Sequence, residues 1–367
     1  MTAGLYVHVP FCLTRCGYCD FNAHAGMAHL AERYARALEL EADLVGPAWS
    51  GVDVDTVFFG GGTPTLLPPS LLARVLTHLR ERFAIHPDAE VTIEANPDTV
   101  DGRSLAEIRD SGFDRLSIGV QSFDPLVLDA LERVHRPDSS RRAFAAARRA
   151  GFRNVNLDLI FGVHGETLAS WRRTLEAAIG LGPEHLSCYA LTVEPATPLG
   201  RRVAAGLTPA PDPDVQADMF ELACGLLAGA GYVHYEISNW ARGGFECRHN
   251  LGYWRRRPYA ALGAGAHGFR DGRRWWNLRP PVAYLEAVER GTLPVGGEER
   301  VKGEPARLEE VFLALRTPEG FPLEGVTGGR HAAELVDAGL LSRRGGRLVL
   351  TERGMFLANE IALALAG

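Results

Sequence analysis

The chain has 367 residues, a formal net charge of −6, 46% hydrophobic and 23% charged residues. This is an ordinary globular balance, long enough for one large domain plus a smaller one. Its arginines are dispersed without a long basic run, which removes the electrostatic footprint of a nucleic-acid binder, and no apolar stretch reaches the roughly 18 residues of a membrane span.

The N-terminus, MTAGLYVHVPFC, has no basic region followed by an apolar core, so no secretory signal is read and the cytoplasm is the expected compartment. In chain order, β-type runs fall near Leu5–Pro10, Thr56–Phe59, Glu90–Glu94, Arg115–Val120, Val155–Phe161 and His185–Leu191. Helical patterns alternate with them near Ala28–Val45, Pro69–Phe83, Ser104–Asp110, Pro125–Val134, Ser139–Ala150 and Leu168–Ile179. Such alternation builds a parallel sheet from right-handed βαβ units. Thr56-Val57-Phe58-Phe59 is apolar on both parities, which predicts a sheet covered on both faces. The fold class is therefore α/β, an incomplete (β/α)6 barrel. Functional residues then belong at the C-terminal strand ends. Those ends carry Gly60-Gly61-Gly62-Thr63-Pro64, Glu94-Ala95-Asn96-Pro97, Gln121 and Asp158.

Beyond residue 195 the pattern loosens. Pro195–Pro213 reads as a proline- and glycine-rich link, followed by a helix near Val215–Ala230 and a Gly-, Trp- and Arg-rich region to about Pro280. The last part reads as helices at Glu304–Arg316 and His331–Ala338. A hairpin at Leu341–Leu350 follows, turning at Gly345-Gly346, and then a final helix capped by Thr351. This is a smaller α+β, winged-helix-like domain, read as a packing appendage. The expected boundaries are 1–195 for the barrel core, 196–300 for the connecting region and 301–367 for the C-terminal domain.

Cys12, Cys16 and Cys19 crowd into eight residues, whereas Cys188, Cys224 and Cys247 are scattered. In a reducing compartment such a cluster points to metal or redox chemistry. A CxxxCxxC loop directly after a strand can wrap one cubane and leave its fourth iron open to a non-protein ligand. The alternative is a structural zinc site, completed by His8 or His24, at an unusual spacing.

The triplet, with Tyr18 before its last cysteine, resembles the signature of the radical S-adenosylmethionine (SAM) superfamily. That resemblance implies a [4Fe–4S] cluster on Cys12, Cys16 and Cys19 whose unique iron chelates SAM and whose electron cleaves it to a 5′-deoxyadenosyl radical. The Gly60–Pro64 string resembles the family's loop for the methionine part of SAM, through Gly61, Gly62 and Thr63. Glu94 matches its acidic residue on the third strand. Within the superfamily, Val120-Gln121-Ser122-Phe123 and Leu157-Asp158-Leu159-Ile160 resemble the oxygen-independent coproporphyrinogen oxidase branch. That likeness assigns further SAM contacts to Tyr6, Gln121, Arg133 and Asp158, and makes residues 301–367 similar to the C-terminal domain of HemN.

Two features depart from the oxidases. Their fourth cysteine, two residues after the third, is Phe21 here, and only eleven residues precede Cys12. A third feature is positive: His249-Asn250-Leu251-Gly252-Tyr253-Trp254 resembles the HNxxYW haem motif of HemW-type haem chaperones. Chemically, a neutral imidazole is a common axial iron ligand. Tyr253 and Trp254 offer flat faces for a porphyrin, and Arg255, Arg256 and Arg257 could pair with propionates. Cys247 is a second candidate axial ligand, while Trp275-Trp276 reads as core. The resemblance implies a protein that binds haem, a [4Fe–4S] cluster and SAM, and passes haem to acceptors such as respiratory enzymes. It implies peripheral membrane contact through the partner, dimerisation, and no oxidase turnover. The alternative is an enzyme of the same branch, either the coproporphyrinogen III oxidase or a radical SAM methyltransferase.

Overall fold

The computed structural model describes residues 2–326 and 329–366. Six parallel strands form the centre of the molecule: β1 (Thr2–Val9), β2 (Asp53–Gly61), β3 (Ala84–Ala95), β4 (Arg115–Gln121), β5 (Asn154–Phe161) and β6 (His185–Ala190). They pair in sequence order, as successive right-handed crossovers require. The crossover helices are α1 (Ala31–Val45), α2 (Pro69–Arg82), α3 (Gly102–Asp110), α4 (Pro125–Ala130), α5 (Pro137–Arg149) and α6 (Leu168–Leu181). Local chemistry sets their ends. Asp101 and Ser104 form a capping box at the start of α3, Thr167 accepts from the Ser170 amide at 3.1 Å to start α6, and Gly182 ends α6 at φ 70°.

The sheet does not stop at six strands. Beyond β6 it continues antiparallel through β8 (Asn239–Ala241) and β7 (Val233–Glu236). On the other side β1 pairs in parallel with β9 (Tyr259–Leu262). Antiparallel β10 (His267–Arg270), β11 (Arg273–Asn277) and β12 (Val295–Arg300) follow, giving an open sheet of twelve strands. The connecting region thus supplies sheet edges, not only loops. It also holds α7 (Pro198–Ala204) inside the stretch read as a link, then α8 (Pro213–Gly229), α9 (Arg248–Trp254) and α10 (Pro281–Glu289). Thr197 caps α7 by accepting from Gly200 at 3.0 Å, and Pro198 opens its first turn.

Buried Glu41 of α1 ties this extension to the barrel. Its carboxylate accepts from the Gly263 amide, the Asn277 side chain and the Tyr284 hydroxyl at 2.6–2.7 Å, while burial pushes its pKa up to about 7. The principal core lies between the sheet and its helices. It is built from Leu5, Val7, Phe59, Ile93, Leu116, Ile118, Leu157 and Leu186 on the strands, against Leu38, Leu72, Leu76, Trp171 and Leu175 on the helices.

At the C-terminus, α11 (Glu304–Ala314), α12 (Gly329–Asp337), a hairpin of β13 (Leu341–Arg344) and β14 (Arg347–Leu350), α13 (Glu352–Met355) and α14 (Ala358–Ala366) follow in the expected order. Gly345 and Gly346 turn the hairpin at φ 51° and 76°. A second apolar cluster around Val311, Leu315, Leu348, Ile361 and Leu365 packs these elements together. Among the described residues no helix is long and apolar enough to cross a membrane.

Candidate functional site

One expectation about the sheet changes in the structure. Its outer face is apolar, but the face turned into the barrel is polar. Alternate residues point inward: Tyr6 and His8 on β1; Arg115 and Ser117 on β4; Asn156 and Asp158 on β5; and His185, Ser187 and Tyr189 on β6. The apolar parity of Thr56–Phe59 gave only half of the sheet's character. The inner face lines a cavity and meets α9 at β1 and β2, whereas the outer face packs on the crossover helices.

The cysteine loop leaves β1 and closes over the C-terminal strand ends. Cys16 is buried, Cys12 and Cys19 are half-buried, and the Cys19 amide donates to the Cys16 carbonyl at 3.2 Å. Arg133 reaches this loop from behind α4. It donates to Cys16 Sγ at 3.4 Å and to the Gly119 carbonyl at 3.2 Å. Burial pushes the Cys12 and Cys19 thiols up, so the thiolates need a cation to complete them.

These side chains surround a cavity of about 460 Å³. Its walls hold the three cysteines, Tyr18, Gly61, Gly62, Thr63, Glu94, Gln121, Arg133 and Asp158, so residues spread over more than a hundred positions converge there. Tyr6 lies outside that wall. Its hydroxyl donates to His8 Nδ1 at 3.0 Å and its ring stacks on Phe58, in the deeper part of the barrel.

The glycine string works differently from an open cradle. The Gly62 and Thr63 amides donate to the Val9 and Phe11 carbonyls at 2.8 and 2.7 Å, and the Gly61 amide donates to Glu94 at 3.0 Å. A Cβ on Gly61, at φ 114°, would meet the His8 ring at 2.4 Å, and one on Gly62 would meet the Phe11 carbonyl at 2.5 Å. The glycines therefore seat the cysteine loop against β2, and the carbonyls rather than these amides remain for a ligand. Gln121 holds φ 63° at the end of β4, a conformation costing about 1–3 kcal/mol in a non-glycine residue and concentrated at functional sites. Glu94 is raised to about 7, first by burial and then by Asp158. Asp158 accepts from Ser117 at 2.7 Å and Asn156 at 2.9 Å.

The cysteine site fits a cubane better than a single ion. The two histidines that could complete a zinc site are tied elsewhere: His8 Nε2 donates to the Asn22 carbonyl at 2.9 Å and His24 bonds the Asn22 side chain at 3.2 Å.

Below lies a second cavity of about 620 Å³, whose wall shares Gly61, Glu94, Ser117 and Asp158 with the first. His249, Asn250 and Tyr253 line it, and Trp254 does not. The HNxxYW segment is α9, folded into the barrel. Glu90 holds its first turn, accepting from the Arg248 and His249 amides at 3.0 and 3.1 Å and from the Cys247 thiol at 3.5 Å. His249 is 3% exposed. Its Nδ1 contacts Thr56 Oγ1 and its Nε2 the Tyr253 hydroxyl, both at 2.9 Å, and its ring stacks on Phe58 at 5.2 Å. Asn250 donates to Glu236 at 3.3 Å.

The three arginines after the motif are already engaged. Arg255 pairs with Glu319, Arg256 with Glu309 and Arg257 with Asp55. Trp275 and Trp276 lie half-buried on β11, Trp275 beneath Arg273 and Trp276 stacked with His267 at 5.8 Å. Sequence reasoning missed Arg115, Ser117, Asn156 and His185 as wall residues. The signal was present as polar residues at every second position of β4, β5 and β6.

The buried imidazoles make stability depend on pH. Burial lowers His249 to about 3, below an unfolded value of about 6.5, so its neutral form is the folded form. Its stabilising contribution is present above pH 6.5 and is lost as pH falls through that window toward 3, by about 1.4 kcal/mol per unit. His8, lowered to about 4, acts in the same direction. Buried Glu41 and Glu94 oppose them between about 4.5 and 7, so a comparison of variants isolates the histidine. His249→Gln is expected to be less stable than wild type at pH 7.5, with the deficit shrinking by about 2 kcal/mol at pH 5 in urea unfolding. A constant deficit would show that the ring is not buried neutral.

The profile of the Radical SAM superfamily matches residues 6–178. The chain is 45% identical to "Heme chaperone HemW" of Mycobacterium tuberculosis over 99% of its own length and 95% of that protein. It is 34% identical to the Bacillus subtilis protein of the same name over 99% and 98%. It is 41% identical to the one from Escherichia coli over 77% and 75%. In fold it is similar to coproporphyrinogen III oxidase (HemN) from Escherichia coli, with a TM-score of 0.85 and 24% identity over 100% of this chain and 90% of that one.

Proposed function

Because the chain belongs to the HemW haem-chaperone family within the radical SAM superfamily, we propose that it takes haem into the barrel beneath a SAM-loaded iron–sulfur site and passes it to haem-accepting proteins. One observation carries this reading: the thiol-lined cavity and the cavity lined by His249, Asn250 and Tyr253 share a wall at Gly61, Glu94, Ser117 and Asp158. A ligand in one is therefore felt in the other.

Cys12, Cys16 and Cys19 hold the [4Fe–4S] cluster, which when bound supplies an open iron for the amino-acid end of SAM. Tyr18, Gly61, Gly62, Thr63, Glu94, Gln121, Arg133 and Asp158 enclose SAM, and Tyr6 supports them from below through His8. Arg133 screens the thiolate charge from behind. His249 presents a neutral imidazole to haem, and Asn250 fixes the helix that carries it through Glu236. Trp254 ends α9 outside the cavity wall. The acceptor is a respiratory haem enzyme, contacted at the membrane surface, and the protein works as a homodimer.

The oxidase alternative is disfavoured at Phe21. At the oxidases' fourth-cysteine position this ring is 62% exposed and lines both cavities. Anaerobically reconstituted protein titrated with haem is expected to develop a saturable Soret band, and the loaded protein to restore activity to a haem-free respiratory enzyme. Absence of saturable binding, with decarboxylation of coproporphyrinogen III in the same preparation, would replace the chaperone reading with the enzymatic one.

A further inference from the structure

Arg115 opens β4 with its side chain turned into the barrel, on the same parity as Ser117. It is 2% exposed. Its guanidinium has no hydrogen bond or ion pair to any described residue, and its Nε is sealed from solvent without a partner. Arg115 lines the lower cavity, within electrostatic reach of Cys247, Glu90, Tyr235 and Asp158.

Neither neighbouring carboxylate forms a hydrogen bond or ion pair with it. Glu90 accepts instead from the Cys247 thiol and the first amides of α9, and Asp158 from Ser117 and Asn156. Neighbouring acidic groups hold the charge of this buried guanidinium, but its donors are left without an acceptor, which is itself costly. Its five donors form a planar fork suited to a carboxylate. The cavity it faces, about 620 Å³, is of the size that encloses a small organic ligand. By contrast, Arg255, Arg256 and Arg257 already have carboxylate partners.

We propose that Arg115 is the carboxylate anchor of the barrel interior, receiving a propionate of the haem held there. The assignment rests on the haem reading above and replaces the three arginines after the motif as the propionate partner. It makes Arg115 a buried fork of donors that only a ligand in the cavity completes.

The test uses the full-length reconstituted protein with two probes, haem and haem dimethyl ester, whose propionates cannot accept as carboxylates. Wild type is expected to bind haem at least about tenfold more tightly than the ester, the value of a charge-assisted hydrogen bond lost. Arg115→Met is expected to bind haem at least about tenfold more weakly than wild type and to treat haem and ester alike. The ester comparison needs only wild type, so it stands even if the variant folds poorly. Equal binding of haem and ester to wild type would overturn the anchor while leaving the haem reading intact. Lower melting of Arg115→Met together with unchanged haem affinity would make Arg115 structural. Failure of wild type to bind haem at all would remove the haem reading and this assignment with it.

Discussion

Cys16→Ala is expected to abolish the broad visible absorbance of the reconstituted cluster and bring bound iron and sulfide close to zero. Cys16 is the most deeply placed of the three loop thiols and the one that receives Arg133. Without it two half-buried thiols remain, and two ligands do not hold a cubane that draws on four. The loop itself should survive. Its turn is made by backbone bonds, Cys19 to Cys16 and Ala23 to Phe21, that do not involve the lost sulfur. Far-ultraviolet dichroism should therefore be unchanged, and unfolding free energy should fall by about 1 kcal/mol, as for a typical single substitution. Cys188→Ala is the matched control. Cys188 is buried in β6 among the apolar residues of the outer face, away from the cavity, and its loss should leave iron content intact. A full iron complement in Cys16→Ala, or its loss in Cys188→Ala, would contradict the ligand assignment.

What could be read from the sequence was what is local. Cys12, Cys16 and Cys19 sit within one loop, so their spacing alone declares a shared ligand. The Gly60–Thr63 string and the strand-end positions of Glu94 and Gln121 follow from the βα alternation, which also gave the parallel order of six strands. Less legible was anything set by long-range register. HNLGYW announces ring chemistry, but nothing local says that Glu90, almost 160 residues earlier, accepts from its first amides and draws it into the barrel. Arg255, Arg256 and Arg257 looked available because Glu319, Glu309 and Asp55 lie far away in sequence. Arg115 looked like the start of an ordinary strand, because its distinction is a missing partner, and absence of a partner exists only in three dimensions.

The same burial shapes the second large effect, at His249. His249→Ala removes the imidazole proposed as the haem ligand, and loss of the axial-ligand signature from the haem spectrum is expected. The variant also opens a hole between Phe58 and Tyr253 and leaves the Thr56 and Tyr253 hydroxyls without their ring partner, so about 2–4 kcal/mol of stability should go with it. Lost binding in that variant alone cannot separate a ligand from a plug. Tyr253→Phe does. With the ring proton on Nδ1, that N–H donates to Thr56 and the Tyr253 O–H donates to Nε2, so the lone pair that an iron requires is the one the phenol now occupies. Haem must displace that hydrogen bond, worth about 1 kcal/mol, before it can coordinate. Removing the hydroxyl while keeping the ring should therefore tighten haem binding about fivefold and leave the axial signature unchanged. If Tyr253→Phe instead weakens haem as much as His249→Ala does, the His249–Tyr253 pair is structural. If His249→Ala keeps the wild-type spectrum, the iron is held by another side chain, and Cys247, buried beside the same helix, is the residue to replace next.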